Sequence, residues 1–246
     1  MTNKYMYFIA NWKMYGDLKS LNTLDNVIKF SKSKEINKGR LIYCPPYTLI
    51  SSFLKKFKNC LIDIGGQNCH ESESYGPYTG FINSRMLKNI GANYVIIGHS
   101  ENREKGENNK LINLKIKSAL KAKLKVIFCI GETTIDKRKR RTRSILSKQI
   151  KVGLSKIKNK RNVFIAYEPV WAIGTGIIPK SKDLLKTIKF IKSKFKDKSQ
   201  KVLYGGYVNP QNIKNLKEIN NIDGFLIGGS SQNSKKFIDI VKKTYS

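Results

Sequence analysis

A glutamate at the end of an apolar run is the first residue of this chain whose setting suggests chemistry. Glu168 follows the run 163–167, and residues 169–176 continue with a proline at the start and two glycines at the tip. A buried strand would bring the carboxylate to a pocket edge, and the segment behind it could close as a lid. Proton abstraction from carbon needs such a base and a cover that excludes water. A surface glutamate before an ordinary loop has the same local pattern, so this segment alone leaves both interpretations open.

Two further reactive side chains also follow apolar runs. Asn11 and Lys13 come at the end of the first run, and His99 follows the fourth. A lone histidine is more often structural than catalytic. Here, however, residues 100–102 have the pattern of a short helical turn, and a helix N-terminus opposes positive charge on the imidazole. A neutral imidazole can donate a hydrogen bond to a carbonyl oxygen. The set therefore offers a base, an electrophile and a fixed cation.

Two glycine pairs complete the candidate constellation. Gly205-Gly206 follows the seventh apolar run and Gly228-Gly229 follows the eighth. One such pair is a weak signal. Two pairs after the last strands of a parallel barrel stand where backbone N–H groups commonly bind phosphate.

The elements that must position these residues alternate along the whole chain. The pattern predicts strands at 5–10, 41–44, 61–64, 94–97, 126–130, 163–167, 202–204 and 224–227. It predicts helices at 17–30, 49–57, 83–90, 109–122, 135–157, 181–195, 211–216 and 234–243, with the basic first part of 135–157 interrupted.

Eight strand–helix units favour an α/β fold, a single (β/α)8 barrel of eight parallel strands over residues 1–246. The strands are continuous apolar runs, as strands covered on both faces should be. An open doubly wound sheet also alternates, but it usually carries G-x-G-x-x-G after its first strand. This chain has Asn-Trp-Lys-Met-Tyr-Gly at that turn.

The chain is strongly basic, with a formal net charge of +31. That charge is compatible with nucleic-acid binding, with steering of an anionic substrate, or with drift in composition. The one dense cluster, 137–141 with Arg143 beyond it, lacks the interleaved aromatic residues on which bases would stack. We therefore predict no specific nucleic-acid partner, and a field that attracts a small phosphate ester.

The cysteines and histidines argue against a metal site. The four cysteines, Cys44, Cys60, Cys69 and Cys129, form no C-x-x-C pair, and the chain has only two histidines. Buried, reduced thiols are expected, as in a cytoplasmic protein. No run of 18 or more apolar residues appears, so no membrane partner is predicted.

Taken together, these motifs resemble the triosephosphate isomerase family nearly from end to end. The segments 11–14, 97–101, 166–176, 204–206 and 223–229 resemble its first-strand, histidine, base-and-lid and phosphate motifs, and 166–176 matches without a change. Asn102 stands where the family usually has Arg. The resemblance implies an aldose–ketose isomerase of glycolysis and gluconeogenesis. It would interconvert dihydroxyacetone phosphate and D-glyceraldehyde 3-phosphate through an enediolate, without metal or cofactor.

The resemblance also implies roles at the reacting end of the substrate, and these roles are the family's known ones. Glu168 would move the carbon-bound proton, and His99 would polarise and protonate the oxygens. Lys13 would offset negative charge, with Glu101 as its support. Asn11 would hydrogen-bond the reacting end.

For the other end of the substrate, the resemblance implies a phosphate site made largely of backbone. Gly174 on the lid, residue Tyr207 through its amide, and Gly228-Gly229 would hold the phosphate. Lid closure would hinder loss of phosphate from the enediolate. The resemblance further implies a homodimer, in which the loop from Tyr75 to Phe81 inserts beside the partner's active site.

Four departures from the family pattern bear on the lid and on the dimer. Tyr207 stands where the family has Ser, and residues 177–179 are Ile-Ile-Pro where the hinge is usually Lys-Thr-Ala. Proline fixes φ in a segment that must move. We therefore expect an active enzyme with slower closure, weaker phosphate binding and more leakage of the intermediate. Phe81 replaces a usual Glu, which removes a charged partner near Arg103, and Tyr15 replaces a usual Asn.

Two other hypotheses remain beside the isomerase. One is a basic binding protein that kept the barrel and lost the activity, but Lys13, His99 and Glu168 are all present. The other is a different phosphate-binding barrel isomerase, against which the unchanged lid motif argues.

Overall fold

The computed structural model describes residues 5–36 and 38–246, and in it the apolar runs form a closed barrel of eight parallel strands. The last strand pairs with the first, so that Ile9 lies opposite Leu226. Strands β1 to β8 span Met6–Asn11, Gly39–Cys44, Ile62–Gly66, Tyr94–Ile97, Lys125–Ile130, Val163–Tyr167, Val202–Tyr204 and Gly224–Ile227. The predicted (β/α)8 barrel is confirmed.

Each strand buries both of its faces, which explains the unbroken apolar runs. In β1, Phe8 and Ala10 join the large cluster between the barrel and the helices. Ile9, between them, points the other way and packs with Ile42 and Leu226 inside the barrel. The alternation along one strand therefore fills two separate cores and leaves only the strand ends for chemistry.

Ten α-helices lie between or after the strands within the described residues. Helices α1 to α10 span Asp25–Ser31, Ile50–Lys56, Ser84–Asn89, Ser100–Glu104, Asn109–Lys121, Thr134–Arg138, Thr142–Gly153, Ser181–Lys192, Ile213–Lys217 and Ser234–Tyr245. Short 3-10 helices occur at Leu18–Leu24, Lys34–Ile36, Tyr47–Leu49, Val170–Ala172 and Gly229–Gln232.

The structure corrects the first predicted helix and bears out a break in the longest one. Asp17 caps a 3-10 turn through a capping box with Ser20, and α-helical geometry starts only at Asp25. The predicted basic helix 135–157 is two helices, α6 and α7. They separate at Arg140, whose φ of 55° ends the first helix.

The cysteines all lie in the described ranges and are free thiols. Cys69 is 2% exposed, and burial raises the pKa of its thiol to about 12. Among the described residues, no helix combines the length and apolar character that a membrane crossing requires.

Candidate active site

A cavity of about 230 Å³ opens where the strands end at the C-terminal mouth of the barrel. Of the nine residues predicted to form the site, all but Glu101 line it: Asn11, Lys13, His99, Glu168, Gly174, Tyr207, Gly228 and Gly229. Glu101 lines an adjoining cavity of about 360 Å³, which shares Asn11, Lys13 and His99 with the first. Residues far apart in sequence thus meet at one surface.

Glu168 comes directly after β6 and is 2% exposed. Its Oε1 lies 3.2 Å from His99 Nε2, and its Oε2 accepts the Ser100 N–H at 3.2 Å. The backbone N–H of Glu168 donates to the Ile130 carbonyl at 2.8 Å. One N–H donor, that of Ser100, therefore holds the carboxylate, and the His99 ring lies directly beside it.

The neighbouring strands leave room for Glu168 because they end in glycine. A Cβ at Gly131 would lie 1.7 Å from the Glu168 carbonyl oxygen, and a Cβ at Gly205 would lie 2.9 Å from its Cγ. No side chain larger than hydrogen fits at residue 131 without moving the Glu168 backbone. These two glycines leave the space that Glu168 occupies, and Gly205 also lines the cavity.

His99 is the N-cap residue of α4, and this position sets its tautomer. Its Nδ1 accepts the Glu101 N–H at 3.3 Å, so the ring proton is assigned to Nε2. Nε2 lies on the side of Glu168 and the cavity. With this assignment, the ring directs an N–H at Nε2 toward the cavity.

Lys13 is held from three sides. Its backbone has a φ of 53°, its N–H donates to Asn11 Oδ1 at 3.0 Å, and Gln67 Nε2 donates to its carbonyl at 2.7 Å. Its Nζ lies 2.5 Å from Glu101 Oε1. A left-handed lysine is costly, and such strain is concentrated at functional sites. The ammonium is thus fixed at the cavity wall.

The other end of the cavity is built from backbone and is open. Gly174 has a φ of 72°, and a Cβ at Gly174 or Gly229 would have no atom of the described residues within 4 Å, chain neighbours apart. The lid tip at 174–176 is exposed to solvent. The Tyr207 ring is 39% exposed, and its carbonyl accepts Asn212 Nδ2 at 2.9 Å. This part of the cavity wall is formed largely by glycines, so backbone groups rather than side chains face the open space.

Comparison with known proteins now decides the family, since a model described as "Triosephosphate isomerase" matches residues 6–244. The chain belongs to the triosephosphate isomerase family. The triosephosphate isomerase of Thermodesulfovibrio yellowstonii is 41% identical over 244 residues, covering 96% of this chain and 98% of that protein. The enzyme of Dictyoglomus turgidum is 42% identical over 247 residues, covering 95% of this chain and 97% of its own length.

A solved structure agrees with this assignment. The crystal structure of triosephosphate isomerase from Bartonella henselae matches with a TM-score of 0.89 and 34% identity, over 98% of this chain and 100% of that one. The chain is therefore an intramolecular isomerase that interconverts dihydroxyacetone phosphate and D-glyceraldehyde 3-phosphate in glycolysis.

The first residues of the isomerase's lid are anchored by Glu132, a role that the sequence did not reveal. Trp171 Nε1 donates to Glu132 Oε1 at 2.9 Å, and the Tyr167 hydroxyl lies 3.1 Å from the same oxygen. Burial raises the pKa of the Glu132 carboxyl, although both donors act to lower it. The sequence does contain a sign of this role, because Glu132 follows soon after the end of β5, as Glu168 follows β6.

Two more neighbours of Glu168 in the isomerase were missed by sequence reasoning. The Ser100 N–H that bonds its carboxylate belongs to the backbone, so residue type carries no sign of it. Cys129 lies behind the carboxylate, and burial, with the charge of Glu168, raises the pKa of its thiol. Among the described residues of the isomerase, no group of three or more His, Cys, Asp or Glu is placed to hold a metal ion.

Proposed function

We propose that Glu168, His99 and Lys13 carry out the isomerisation in the 230 Å³ cavity. The observation that carries this proposal is the 3.2 Å approach of Glu168 Oε1 to His99 Nε2, beside a fixed lysine and under lid residue Gly174. A base, a neutral hydrogen-bond donor and a cation within one small cavity match the needs of proton transfer next to a carbonyl.

Glu168 acts as the carbon base. It takes a proton from C1 of dihydroxyacetone phosphate, which leaves an enediolate, and it returns the proton to C2 to give the aldehyde. The same carboxyl group takes up the proton and later gives it back, so no other proton source is needed at carbon. Its burial at 2% exposure keeps water from competing for the proton.

His99 acts on the two oxygen atoms at the reacting end of the substrate. Its Nε2–H polarises the carbonyl as the carbon proton leaves, and it then passes a proton between the two oxygens of the enediolate. The Glu101 N–H at Nδ1, 3.3 Å away, holds the ring in the tautomer that this requires.

Lys13 and Asn11 bind the same end of the substrate. The ammonium offsets the charge of the phosphate and of the enediolate, and Asn11 supplies a hydrogen bond. Glu101 is a positioning residue, since its carboxylate lies 2.5 Å from Lys13 Nζ and it is half exposed.

The phosphate binds to backbone N–H groups at Gly174, Tyr207, Gly228 and Gly229. Two observations support this. The four residues share one cavity wall, and a Cβ built on Gly229 would have no atom of the described residues within 4 Å, chain neighbours apart. Chelation by consecutive glycine amides suits a dianion without adding side-chain bulk. No metal or cofactor is assigned to the reaction.

We further propose a homodimer formed through the loop from Tyr75 to Phe81. Tyr75, Tyr78 and Phe81 are 60%, 47% and 62% exposed, and Met14 at the adjoining 360 Å³ cavity is 94% exposed. The His70 ring packs on Tyr78 at 4.3 Å and on Phe81 at 5.0 Å, which stiffens the loop. An exposed apolar loop beside an open cavity favours insertion into a second copy.

The setting of Arg103 supports an apolar rather than a charged contact from Phe81. Its guanidinium donates to the carbonyls of Gly98 and Cys129 and to Asn109 Oδ1, and in the described part of the chain it has no carboxylate partner. Burial lowers the pKa of Arg103. Sedimentation of a monomer at micromolar concentration would contradict the dimer. A Phe81→Glu variant should weaken it, with Ile135→Glu, a similarly exposed position away from the loop, as the control.

The cell compartment and the domain organisation belong to the same proposal. We propose that the isomerase works in the cytoplasm, where its four free thiols stay reduced. We also propose that residues 1–246 act as one domain, because all proposed site residues come from the ends of one barrel.

A coupled assay with glyceraldehyde 3-phosphate tests the reaction. Glu168→Gln removes the base, and we expect kcat to fall by about 10³-fold or more. Glu168→Asp keeps the carboxylate but withdraws it by about 1 Å, for which we expect a loss of about 10²-fold. An inactive wild type, or full activity of Glu168→Gln, would refute the proposal.

A further inference from the structure

A second cleft lies against the lid and shares no lining residue with the reaction cavity. Its volume is about 480 Å³, compared with about 230 Å³ for the reaction cavity. Trp171, at the start of the lid, and Ile177 to Pro179, at its end, form one side. The first turns of α7 and α8 form the other. A molecule in this cleft would therefore contact both ends of the lid at once.

The charge of the cleft is unbalanced. Four cationic side chains line it, Lys137, Arg143, Lys180 and Lys186, against two carboxylates, Glu132 and Asp183. Glu132 already accepts bonds from Trp171 and Tyr167. Across residues 5–36 and 38–246, none of the four cations forms an ion pair. The cleft therefore has an excess of two positive charges over its own carboxylates.

The cleft also offers apolar surface beside these charges. The Lys137 ammonium lies over the Trp171 ring, and the Arg143 guanidinium lies 5.3 Å from the Phe190 ring centroid. Ile177 is 53% exposed and Ile178 is 39% exposed. Burial lowers the pKa of Lys137, against the opposing effect of Glu132 and Asp183. A ligand that restores a negative charge here can bury carbon atoms at the same time.

These features define the ligand class. A phosphate monoester carries about two negative charges at neutral pH, which matches the excess in the cleft. Arginine binds phosphate oxygens in a bidentate manner, while lysine binds them as a point charge. We infer that the cleft behind the lid is a second binding site, for a small organic phosphate monoester, and that its occupation controls the lid.

The direction of this control follows from the contacts. The lid tip at 174–176 stands in solvent in the arrangement that forms the cleft. A ligand that binds the open arrangement more tightly than the closed one shifts the lid equilibrium toward the open arrangement. The size of the shift is set by the difference between the two affinities. By linkage, it must weaken substrate binding by a limited factor. Binding itself is independent of the proposed function, whereas the effect on turnover depends on it.

Phenyl phosphate is a suitable probe, and two measurements are needed. In the first, Trp fluorescence is followed during titration with phenyl phosphate alone, because triose phosphates are phosphate monoesters themselves and would compete for the cleft. Trp12, the other tryptophan, is 2% exposed and does not line the cleft. The second measures apparent KM against probe concentration. A competitor at the reaction cavity raises apparent KM linearly without limit, whereas a ligand in the cleft raises it to a plateau, here about fivefold.

A pair of double variants separates the cleft from the general positive field. Arg143→Gln with Lys186→Gln removes two cleft cations, and Lys158→Gln with Lys196→Gln removes the same charge from a different surface. We expect the first pair to weaken probe binding at least tenfold and to abolish the plateau, and the second pair to change neither. Equal loss in both pairs, no loss in the first, or a purely linear rise of KM in the wild type would each overturn the inference. Thermal unfolding of each variant checks that it is folded.

Discussion

The two ends of the reaction cavity are built on different principles. At the reacting end, Glu168, His99 and Lys13 are each held by hydrogen bonds from other residues before any substrate enters. At the phosphate end, no atoms of the described residues stand where a side chain at Gly174 or Gly229 would lie. The proposed chemical groups are therefore preorganised, whereas we propose that the phosphate site is completed only when the lid moves over it.

This difference predicts two kinds of kinetic defect. A change at the reacting end removes an interaction that matters most in the transition state, and so it lowers kcat. A change at the phosphate end alters the binding and retention of substrate and intermediate, and so it changes KM and the amount of intermediate lost as methylglyoxal. Variants at each end can show whether the two defects separate in this way.

After the base Glu168, the largest effect at the reacting end is expected for His99. A glutamine at residue 99 can still donate an N–H from about the position of Nε2, but it cannot pass a proton between two oxygens. For His99→Gln we expect kcat to fall by about 10²-fold, with little change in KM. His99→Ala, which loses the donor as well, should fall further. If KM rises while kcat stays constant, His99 belongs to substrate binding and the comparison fails.

A smaller effect is expected at Glu101, which acts through Lys13. Glu101→Gln replaces the charged partner 2.5 Å from Lys13 Nζ with a neutral one. Because Glu101 is half exposed, water can replace part of its interaction, and we expect kcat/KM to fall about fivefold. The control is Glu104→Gln, which removes the same charge from α4 without a bond to Lys13.

The salt dependence of the rate distinguishes positioning from simple charge. If Glu101 only offsets the positive field, the rates of Glu101→Gln and Glu104→Gln should change equally with added salt. Glu101→Gln should then also bind substrate more tightly than the wild type. If it positions Lys13, Glu101→Asp should recover part of the activity. Equal rates for the two glutamine variants would remove Glu101 from the reacting end.

At the phosphate end, Tyr207→Ser is the informative variant. The Tyr207 ring lines the cavity and is 39% exposed, so a smaller residue leaves room for the lid to approach. We expect KM to fall about threefold, with less methylglyoxal formed. Tyr207→Phe keeps the ring and should leave both unchanged. If Tyr207→Ser alters neither KM, kcat nor the by-product, the lid packs around the tyrosine without cost.

The sequence predicted the barrel and the reacting end because both have local signatures. Apolar runs mark strands, and the residues after Val163–Tyr167 or before α4 follow directly from strand order. The structure then places Glu168 and His99 within 3.2 Å of each other, although two further strands lie between them in the chain. The parallel barrel makes this possible, since every strand ends at the same mouth.

Other features depend on contacts that residue type does not reveal. The left-handed backbone of Lys13 results from bonds made by Asn11 and Gln67. The 3-10 turn at Leu18–Leu24 follows from the capping box of Asp17. The cleft behind the lid requires α7 and α8 to stand side by side, which the basic cluster at 137–141 alone could not indicate.

Glu132 joins the two ends, because it bonds Tyr167 beside the base and Trp171 at the start of the lid. Its pKa is raised above the ordinary value of 4.5 by burial, so the folded protein holds this proton more tightly than the unfolded chain does. Stability from this group is therefore fully present below about pH 4.5 and is lost as pH rises through the folded-state pKa. Glu132→Gln mimics the protonated form at every pH.

The smallest effect that we predict is a pH-dependent difference in Tm between the wild type and Glu132→Gln. We expect the wild type to lose stability relative to the variant as pH rises from about 4.5, because only the wild type must then bury a charge. Thermal unfolding of both proteins from about pH 4 to 8 measures this difference, and contributions from other carboxylates cancel between them. Parallel curves would mean that the charged form of Glu132 is fully compensated by Trp171 and Tyr167.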